Sequence, residues 1–250
     1  MIGCAKDMRS GTMASNMNAT TPIFEKEASA NALRMLCYDI EDMAKMLKCN
    51  IEIARENKLR YMRFHDADNK GQQAALAYDG IVFKYLSPES FSKEDAHVAQ
   101  DKLWITSFLY GLLRPSDTIK PYRLEGSVKL EGKDKSMFDY WKPKLTNILS
   151  KAVKNDDGIL LDLASNEMRK LFFWKEIEKD VNIIKPEFYV NKGGKLKTIV
   201  IYSKMCRGAM ARFALTNRIN SPEALKTFQF EGFSYSDQES KPGHPVFIAG

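Results

Sequence analysis

Four short apolar runs in this chain each end at a small or polar residue, and this pattern constrains the fold more than any other feature. The runs lie in MIGCAKD (1–7), LWITSFLYG (103–111), GILLDLASNE (158–167) and TIVIYSKMCRG (198–208). Short runs of β-branched and aliphatic residues between turn residues are typical of buried strands. Segments with helical periodicity stand between them, so the sequence predicts a mixed α/β fold.

The helical segments are recognised by apolar residues at three- and four-residue steps and by capping residues. We expect helices over 25–49, 50–63, 137–153 and 204–217, and helices that begin after Ser92, just beyond Ser165 and at Pro222. Two β-rich runs around 191–194 predict a hairpin, and FEGFSYS (230–236) with HPVFIA (244–249) predicts a last strand pair. No linker, repeat or low-complexity segment divides the chain, so we expect one compact domain over residues 1–250.

The ends of the four apolar runs are candidate site positions. Strands of one sheet often deliver their carboxyl ends to the same edge, where ligands bind. If the four runs share a sheet, six polar residues come together there: Lys6, Ser165, Glu167, Ser203, Lys204 and Arg207. The alternative is that the serines only cap helices and form turns.

The composition argues against a membrane protein, a secreted protein and a metal protein. Hydrophobic residues make up 44% of the 250 residues and charged residues 28%, which is ordinary for a soluble globular protein. No apolar stretch approaches the about 18 residues of a membrane span, and the first residues lack the apolar segment of a secretory signal. The four cysteines and three histidines are scattered without metal-ligand spacing. We therefore expect a cytoplasmic protein with reduced thiols and no metal.

The positive charge is confined to the C-terminal half of the chain. The net charge is +6. Residues 1–125 contain 17 basic and 17 acidic residues, whereas residues 126–250 contain 21 and 15. This bias fits an anionic partner, but a soluble protein with a lysine-rich surface has the same composition.

The predicted helix 204–217 carries its cations on one face. At about 100° per residue, Lys204, Arg207, Gly208 and Arg212 share one side, and most apolar residues lie on the other. Glycine inside a helix costs roughly 1 kcal/mol relative to alanine. Gly208 therefore indicates that an anion or another backbone approaches this face closely. The alternative is a solvated face on which Gly208 packs against a neighbouring strand.

A second cationic cluster lies in YGLLRPSDTIKPYRLEGSVKL (110–130). It holds three cations and two tyrosines: Arg114, Lys120, Arg123, Tyr110 and Tyr122. A proline-stiffened loop with such residues suits phosphate binding and the stacking of bases on the tyrosines. The alternative is a structural ion pair between Arg123 and Glu125.

No catalytic signature can be read from the sequence, which has no Walker loop, no GxSxG and no HExxH. The catalytic residues therefore stay unknown. Cys206 lies between two cations, which would lower the pKa of its thiol and make it sensitive to peroxide. The helical wheel places it on the apolar side instead, which favours a buried, inert thiol.

Three blocks resemble those of the YaaA family, the peroxide stress response proteins. FLYGLLRPSDTIKPYRLE (108–125) is similar to the family's SGLYGLLRPLDxIxPYRLE, LDLASNEMRK (161–170) to its NLASxEYxK, and IYSKMCRGAMARF (201–213) to its xYAKxARGxMxRF. The resemblance extends from Cys4 to Phe247. Two segments depart from the family: GCAKD (3–7) replaces SPAKT, and in LDLAS (161–165) Asp162 replaces an asparagine. We expect the added carboxylate to weaken anion binding.

The resemblance implies a compact "cannonball" α/β fold with a mixed sheet, surrounding helices, a helix-hairpin-helix element and a positively charged cleft. It also implies that the protein binds DNA, duplex or distorted, and limits damage caused by free intracellular iron. No reaction and no cofactor are implied, and we expect a monomer. The matching cations are expected to line the cleft: Lys6, Arg114, Arg123, Lys204, Arg207 and Arg212.

An alternative function is an enzyme acting on a nucleotide-like or phosphorylated small molecule in the same cleft. Its polar groups would be Glu125, Ser165 and Glu167, together with the lysines at the strand ends. Charged side chains gathered in one concave place are typical of active sites.

Overall fold

The computed structural model describes residues 1–9, 11, 13, 15–132 and 134–250. Within them, helices alternate with short strands, so the predicted mixed α/β fold is confirmed. The helices are α1 (Glu25–Met35), α2 (Ile40–Leu47), α3 (Ile51–Met62), α4 (Ala74–Ala77), α5 (Ile81–Leu86), α6 (Lys93–Lys102), α7 (Met137–Lys154), α8 (Asn166–Arg169), α9 (Trp174–Asp180), α10 (Val200–Thr216) and α11 (Pro222–Leu225). The strands are β1 (Ile2–Gly3), β2 (Asp7–Met8), β3 (Gln72–Gln73), β4 (Tyr78–Asp79), β5 (Ile105–Ser107), β6 (Gly111–Leu113), β7 (Thr118–Ile119), β8 (Ile159–Leu161), β9 (Asn182–Ile184), β10 (Glu187–Lys192), β11 (Lys195–Lys197), β12 (Ser234–Lys241) and β13 (His244–Ala249).

Three of the four predicted apolar runs form neighbouring parallel strands. β1 pairs in parallel with β5 through Ile2 and Ile105, and β5 continues into the antiparallel β6. The amino group of Met1 donates to the carbonyl of Leu161, and the backbone N–H of Leu163 donates to the carbonyl of Met1. These two bonds place β8 beside β1 in the parallel sense. The carboxyl ends of β1, β5 and β8 therefore point to one side of the molecule.

The fourth run is not a strand, so the prediction of a strand through Ser203 is wrong. β11 ends at Lys197, and α10 begins at Val200, four residues before the predicted helix. The N–H of Ser203 donates to the carbonyl of Ile199 at 2.9 Å, as in a helix. β11 lies at the edge of its sheet with a single neighbour, whereas α10 buries a long face. Burial along the helix therefore outweighs the strand preference of the isoleucines and valine.

Several predicted helix starts are confirmed by capping hydrogen bonds. Ser92 accepts from the N–H of Asp95 at 3.0 Å, and Ser221 accepts from that of Ala224 at 3.2 Å. The predicted helix 25–49 is instead two helices, because Asp39 caps a new one at α2.

The C-terminal residues form a separate four-stranded sheet in the order β11–β10–β13–β12. The predicted hairpin is confirmed by the pairing of Asn191 with Leu196, and the predicted last strand pair by that of Tyr235 with Phe247. Phe247 is fully buried and belongs to the same apolar core as Ile2 of β1.

Helix α10 packs closely against α5 at a glycine. A Cβ atom on Gly208 would lie 2.2 Å from the carbonyl oxygen of Val82 and 2.9 Å from Cβ of Tyr85. Another backbone therefore approaches Gly208 closely. Of the two close approaches predicted, an anion or a backbone, the structure shows the backbone. In the described ranges, no helix is both long enough and apolar enough to cross a bilayer.

Candidate functional site

A cleft of about 470 Å³ opens at the carboxyl ends of β1, β5 and β8. Each strand is followed by residues that line it: 3–7 after β1, Phe108 after β5, and Ser165, Glu167 and Met168 after β8. The amino-terminal part of α5 and the first turns of α10 close the other sides. The topology therefore gathers into one place segments that are far apart in the sequence.

The structure brings most of the predicted site residues into this cleft. Its lining includes six of them: Lys6, Arg123, Ser165, Glu167, Lys204 and Arg207. Glu125 is buried and contacts Lys6 of the lining. Ser203 is a buried residue of α10 and is not part of the lining. Ser165 stands directly before α8, as the alternative of a capping serine predicts. Its side chain, however, makes no capping hydrogen bond.

A carboxylate network holds two of the cations. Nζ of Lys6 lies 2.8 Å from Oε1 of Glu125, whose side chain is 5% exposed. One guanidinium nitrogen of Arg123 lies 3.8 Å from the same oxygen, and another lies 3.6 Å from Asp7. The predicted Arg123–Glu125 ion pair is therefore present at the cleft, and these two cations are largely neutralised.

The other two cations have no acidic partner. Lys204 is exposed and Arg207 is half-buried, and neither forms an ion pair or side-chain hydrogen bond with another described residue. Burial lowers the pKa of Arg207, and the more distant Asp162 acts in the opposite direction. The two side chains lie one helical turn apart on α10, so both can contact one anion.

Asp162, the departure from the family pattern, does not line the cleft. Its buried carboxylate accepts from Nε of Arg169 at 2.7 Å and from the N–H of Ala164 at 3.0 Å. Arg169 therefore neutralises the added charge, and the bond to Ala164 holds the turn that carries Ser165 into the cleft. Asp162 makes no contact in the cleft that would support the expected weakening of anion binding.

Arg114 and Arg212 lie outside the cleft, although the resemblance led us to expect them there. Nη1 of Arg212 donates to the carbonyls of Leu86 and Ser87, at the end of α5. Nη1 of Arg114 donates to the carbonyls of Asp101 and Leu103, at the end of α6. Each guanidinium satisfies carbonyl groups that have no partner inside the helix.

Tyr122 lines the cleft and Tyr110 does not, but neither ring is exposed enough to stack on a base. Tyr110 is 2% exposed and Tyr122 is 3% exposed. The hydroxyl of Tyr122 is within hydrogen-bonding distance of Tyr78 and Ser107, and that of Tyr110 accepts from the N–H of Lys120. The prediction that these rings stack on bases is therefore wrong, because both serve the core.

Cys206 is fully buried, and burial raises the pKa of its thiol to about 12. Of the two predicted roles, the structure supports the inert thiol.

Three ionisable lining residues were not predicted as site residues from the sequence: Cys4, Asp7 and Asp79. The two aspartates face each other in the β2–β4 pair, so only the pairing of distant segments reveals them. Burial raises the pKa of Cys4 to about 12, with smaller contributions from nearby carboxylates. In the described part of the chain, no group of three or more His, Cys, Asp or Glu side chains could hold a metal ion.

Comparisons with known proteins agree with the three sequence blocks. The chain matches the family described as peroxide stress protein YaaA over residues 1–239. A UPF0246 protein of Bacteroides fragilis is 49% identical over 251 aligned positions, which cover 100% of this chain and 98% of the relative. A UPF0246 protein of Phocaeicola vulgatus is 48% identical over 247 positions, covering 98% and 97%. One of Clostridium botulinum is 34% identical over 250 positions, covering 99% and 97%.

These matches span every segment that lines the cleft, from the end of β1 to the first turns of α10. The resemblance is confirmed: this chain belongs to the YaaA family of peroxide stress proteins.

Proposed function

We propose that this protein acts in peroxide stress by binding DNA through the cleft, and that this binding limits iron-dependent oxidative damage. The observation that carries the proposal is the pair Lys204 and Arg207, two adjacent cations without an acidic partner among the described residues. Such a pair gains most from a phosphate, which accepts several charge-assisted hydrogen bonds at once.

The size of the cleft argues for one form of DNA. Its volume of about 470 Å³ lies in the range of pockets that enclose small molecules, so a duplex cannot enter it. We propose that the cleft takes one nucleotide from single-stranded or distorted DNA. Distorted DNA supplies such a nucleotide at the lowest unstacking cost.

Binding titrations test this proposal directly. Single strands, duplexes with an unpaired bubble and fully paired duplexes are titrated from 50 to 200 mM salt, a range across which phosphate contacts weaken steeply. We expect the first two to bind more tightly than the paired duplex. Lys204→Glu with Arg207→Glu should reduce affinity at least about 100-fold, which corresponds to about 2.7 kcal/mol.

The matched control is Lys195→Glu with Lys197→Glu, which makes the same charge change on the exposed strand β11. We expect this variant to bind DNA within about threefold of the unchanged protein, because screening removes most of a distant charge's effect. Equal losses in both variants, or affinity that does not change with salt, would overturn the proposal.

Protection of DNA is the second measurement. DNA exposed to ferrous iron and peroxide should be cleaved less when this protein is present, in proportion to the fraction bound. The Lys204/Arg207 double variant should give no protection. Protection by the double variant would mean that the protein acts on iron or peroxide without binding DNA in the cleft.

A second candidate function is catalysis on a small phosphorylated molecule. The observation that favours it is the buried carboxylate of Glu125 beside Lys6, in a cleft that also contains Ser165 and Glu167. A buried acid paired with a lysine is a typical arrangement for proton transfer. If nucleoside monophosphates bind as tightly as single strands and are converted, with conversion lost in Glu125→Gln, this function replaces DNA binding.

We assign the implied helix-hairpin-helix element to α2 and α3, which are joined by residues 48–50. Lys48 adopts a left-handed conformation (φ 50°) in this tight connection. Lys45→Glu with Lys48→Glu should weaken binding to paired duplex more than binding to single strands. Equal weakening of both would remove this assignment.

A further inference from the structure

A second cavity, of about 580 Å³, lies at the opposite ends of the same three strands. Its lining includes Met1 at the start of β1, Leu103 and Trp104 before β5, and 159–161 of β8. The ends of α6, α7 and α10 and the start of α11 complete the walls. Leu163 is shared with the cleft.

The inner wall of this cavity is apolar. It is formed by aliphatic side chains and by small residues of α7 and α10: Val153, Leu160, Leu161, Leu215, Ala152 and Ala214. A pocket of this size with a mostly apolar lining and few polar groups is typical of sites for small organic ligands.

The cationic side chains around the cavity form ion pairs, with one exception. Lys102 forms an ion pair with Asp156, and Arg218 forms one with Asp95 at 2.7 Å. The carboxylate of Asp157 accepts from the N–H of Ile159 at 2.8 Å.

Among the cationic side chains of the described lining, Arg114 is the exception. Its guanidinium lies over the ring of Trp104 at 3.4 Å and donates to two backbone carbonyls, but no carboxylate lies within ion-pair distance. Burial lowers its pKa, and the more distant carboxylates of Asp101, Asp117 and Asp156 act in the opposite direction. A partly buried cation without a counter-ion is stabilised by an anion that enters beside it.

We propose that this second cavity binds an amphipathic carboxylate, with the apolar body against the aliphatic wall and the carboxylate at Arg114. The apolar body gains by leaving water, and the carboxylate forms the close ion pair with Arg114 that no described carboxylate forms. The site is independent of the proposed DNA function, since Arg114 does not line the cleft.

The charge of the ligand is the first test. Decanoate, decanol and decylammonium share one chain length and differ in the head group, and all three are titrated into the full-length protein. We expect saturable one-to-one binding of decanoate, at least about tenfold tighter than binding of the other two, which corresponds to about 1.4 kcal/mol. Equal binding of decanoate and decylammonium would overturn the proposal.

The location is tested by nuclear magnetic resonance of labelled leucine methyl groups. Decanoate should shift the signals of Leu160, Leu161 and Leu215 and leave Leu124, which lines the cleft, unchanged. Shifts confined to other parts of the molecule would overturn the proposal without the need for any variant.

Arg114→Gln and Arg212→Gln form a matched pair. Both arginines donate through Nη1 to two carbonyls at a helix end and lie over an aromatic ring, but Arg212 does not line the cavity. We expect Arg114→Gln to lower decanoate affinity about tenfold, the cost typical of one charge-assisted contact, with decanol affinity unchanged. Arg212→Gln should change neither. Equal losses in both variants would assign the effect to stability and overturn the proposal.

Discussion

The cleft and the second cavity lie at opposite ends of the same three strands, and their chemistry differs sharply. The cleft follows the strands and gathers cations and carboxylates. The cavity precedes the strands and is walled by aliphatic residues, with Arg114 as its cation without a carboxylate partner among the described residues. The role of a cation therefore depends on the groups that already surround it. Arg212 donates to a carbonyl at the end of α5, whereas Lys204 and Arg207 have no acidic partner among the described residues.

The largest effect is expected from Gly208→Val, which should disturb the cleft and spare the cavity. Its Cβ would lie 2.2 Å from the carbonyl of Val82, so α5, which lines the cleft, must shift. We expect a loss of about 3 kcal/mol in the free energy of unfolding, typical of severe overpacking. Denaturant titration measures it.

The control is Ala214→Val, which makes a similar change on the same helix but faces the second cavity. It should cost less than about 1 kcal/mol, mainly from helix propensity. If both substitutions lower the free energy of unfolding equally, the contact between α5 and α10 is not closely packed.

A smaller loss of stability is expected from Asp162→Ala. The change leaves Arg169 without its carboxylate and removes the acceptor for the N–H of Ala164. Because Arg169 is 20% exposed, we expect a loss of about 2 kcal/mol rather than the full cost of breaking a buried pair.

Asp156→Ala is the comparison at the cavity. Asp156 pairs with Lys102, and both side chains are more than one-third exposed. The loss there should be below about 1 kcal/mol, as for other exposed pairs. A larger loss at Asp156 than at Asp162 would contradict the difference in burial between the two sites.

Glu125→Gln should make the cleft more positive and leave the second cavity unchanged. Without its carboxylate, Lys6 and Arg123 lose their common partner, so phosphate affinity should rise about fivefold, or about 1 kcal/mol. Decanoate affinity should not change. Isothermal titration with inorganic phosphate and decanoate measures both, and Glu176→Gln on the exposed surface serves as the control. A fall in phosphate affinity would mean that Glu125 orients the two cations.

The smallest effect concerns the reactivity of Cys4. Its raised pKa of about 12 means that the thiolate is rare at neutral pH. Alkylation should therefore be slow and should accelerate about tenfold per pH unit between pH 7 and 10, since the thiolate is the nucleophile. Phosphate in the cleft should slow it about twofold by covering the residue.

Cys37 is the internal control for this measurement, because it is exposed and does not line the cleft. Mass spectrometry of the labelled peptides separates the two thiols. A rate at Cys4 that levels off near pH 8 would contradict the raised pKa.

The sequence predicted local structure well where the chain carries its own signals. Ser92 and Ser221 marked helix starts, the run 191–194 marked the hairpin, and short apolar runs marked β5 and β8. It failed at 198–203, where β-branched residues read as a strand but form the start of α10. No local signal shows that β11 has only one neighbouring strand. Without a second neighbour, the residues after β11 form a helix and do not extend the strand.

The candidate site was predictable in part. Strand ends suggested Lys6, Ser165, Glu167, Lys204 and Arg207, and all five line the cleft. Arg114 and Arg212 were also predicted to line the cleft, but they lie outside it. Residue type and family pattern do not reveal what a side chain contacts. Asp79 was missed, since it reaches the cleft only through its pairing with Asp7.

The mixed α/β class, several helix starts and the family could be predicted from the amino-acid sequence, because capping residues, periodicity and motif blocks are local properties of the chain. Which cations remain without a partner, and which end of the strands is charged or apolar, could be seen only in the folded structure. These properties depend on carboxylates, carbonyls and aliphatic side chains that are distant in the chain and meet only when the strands pair.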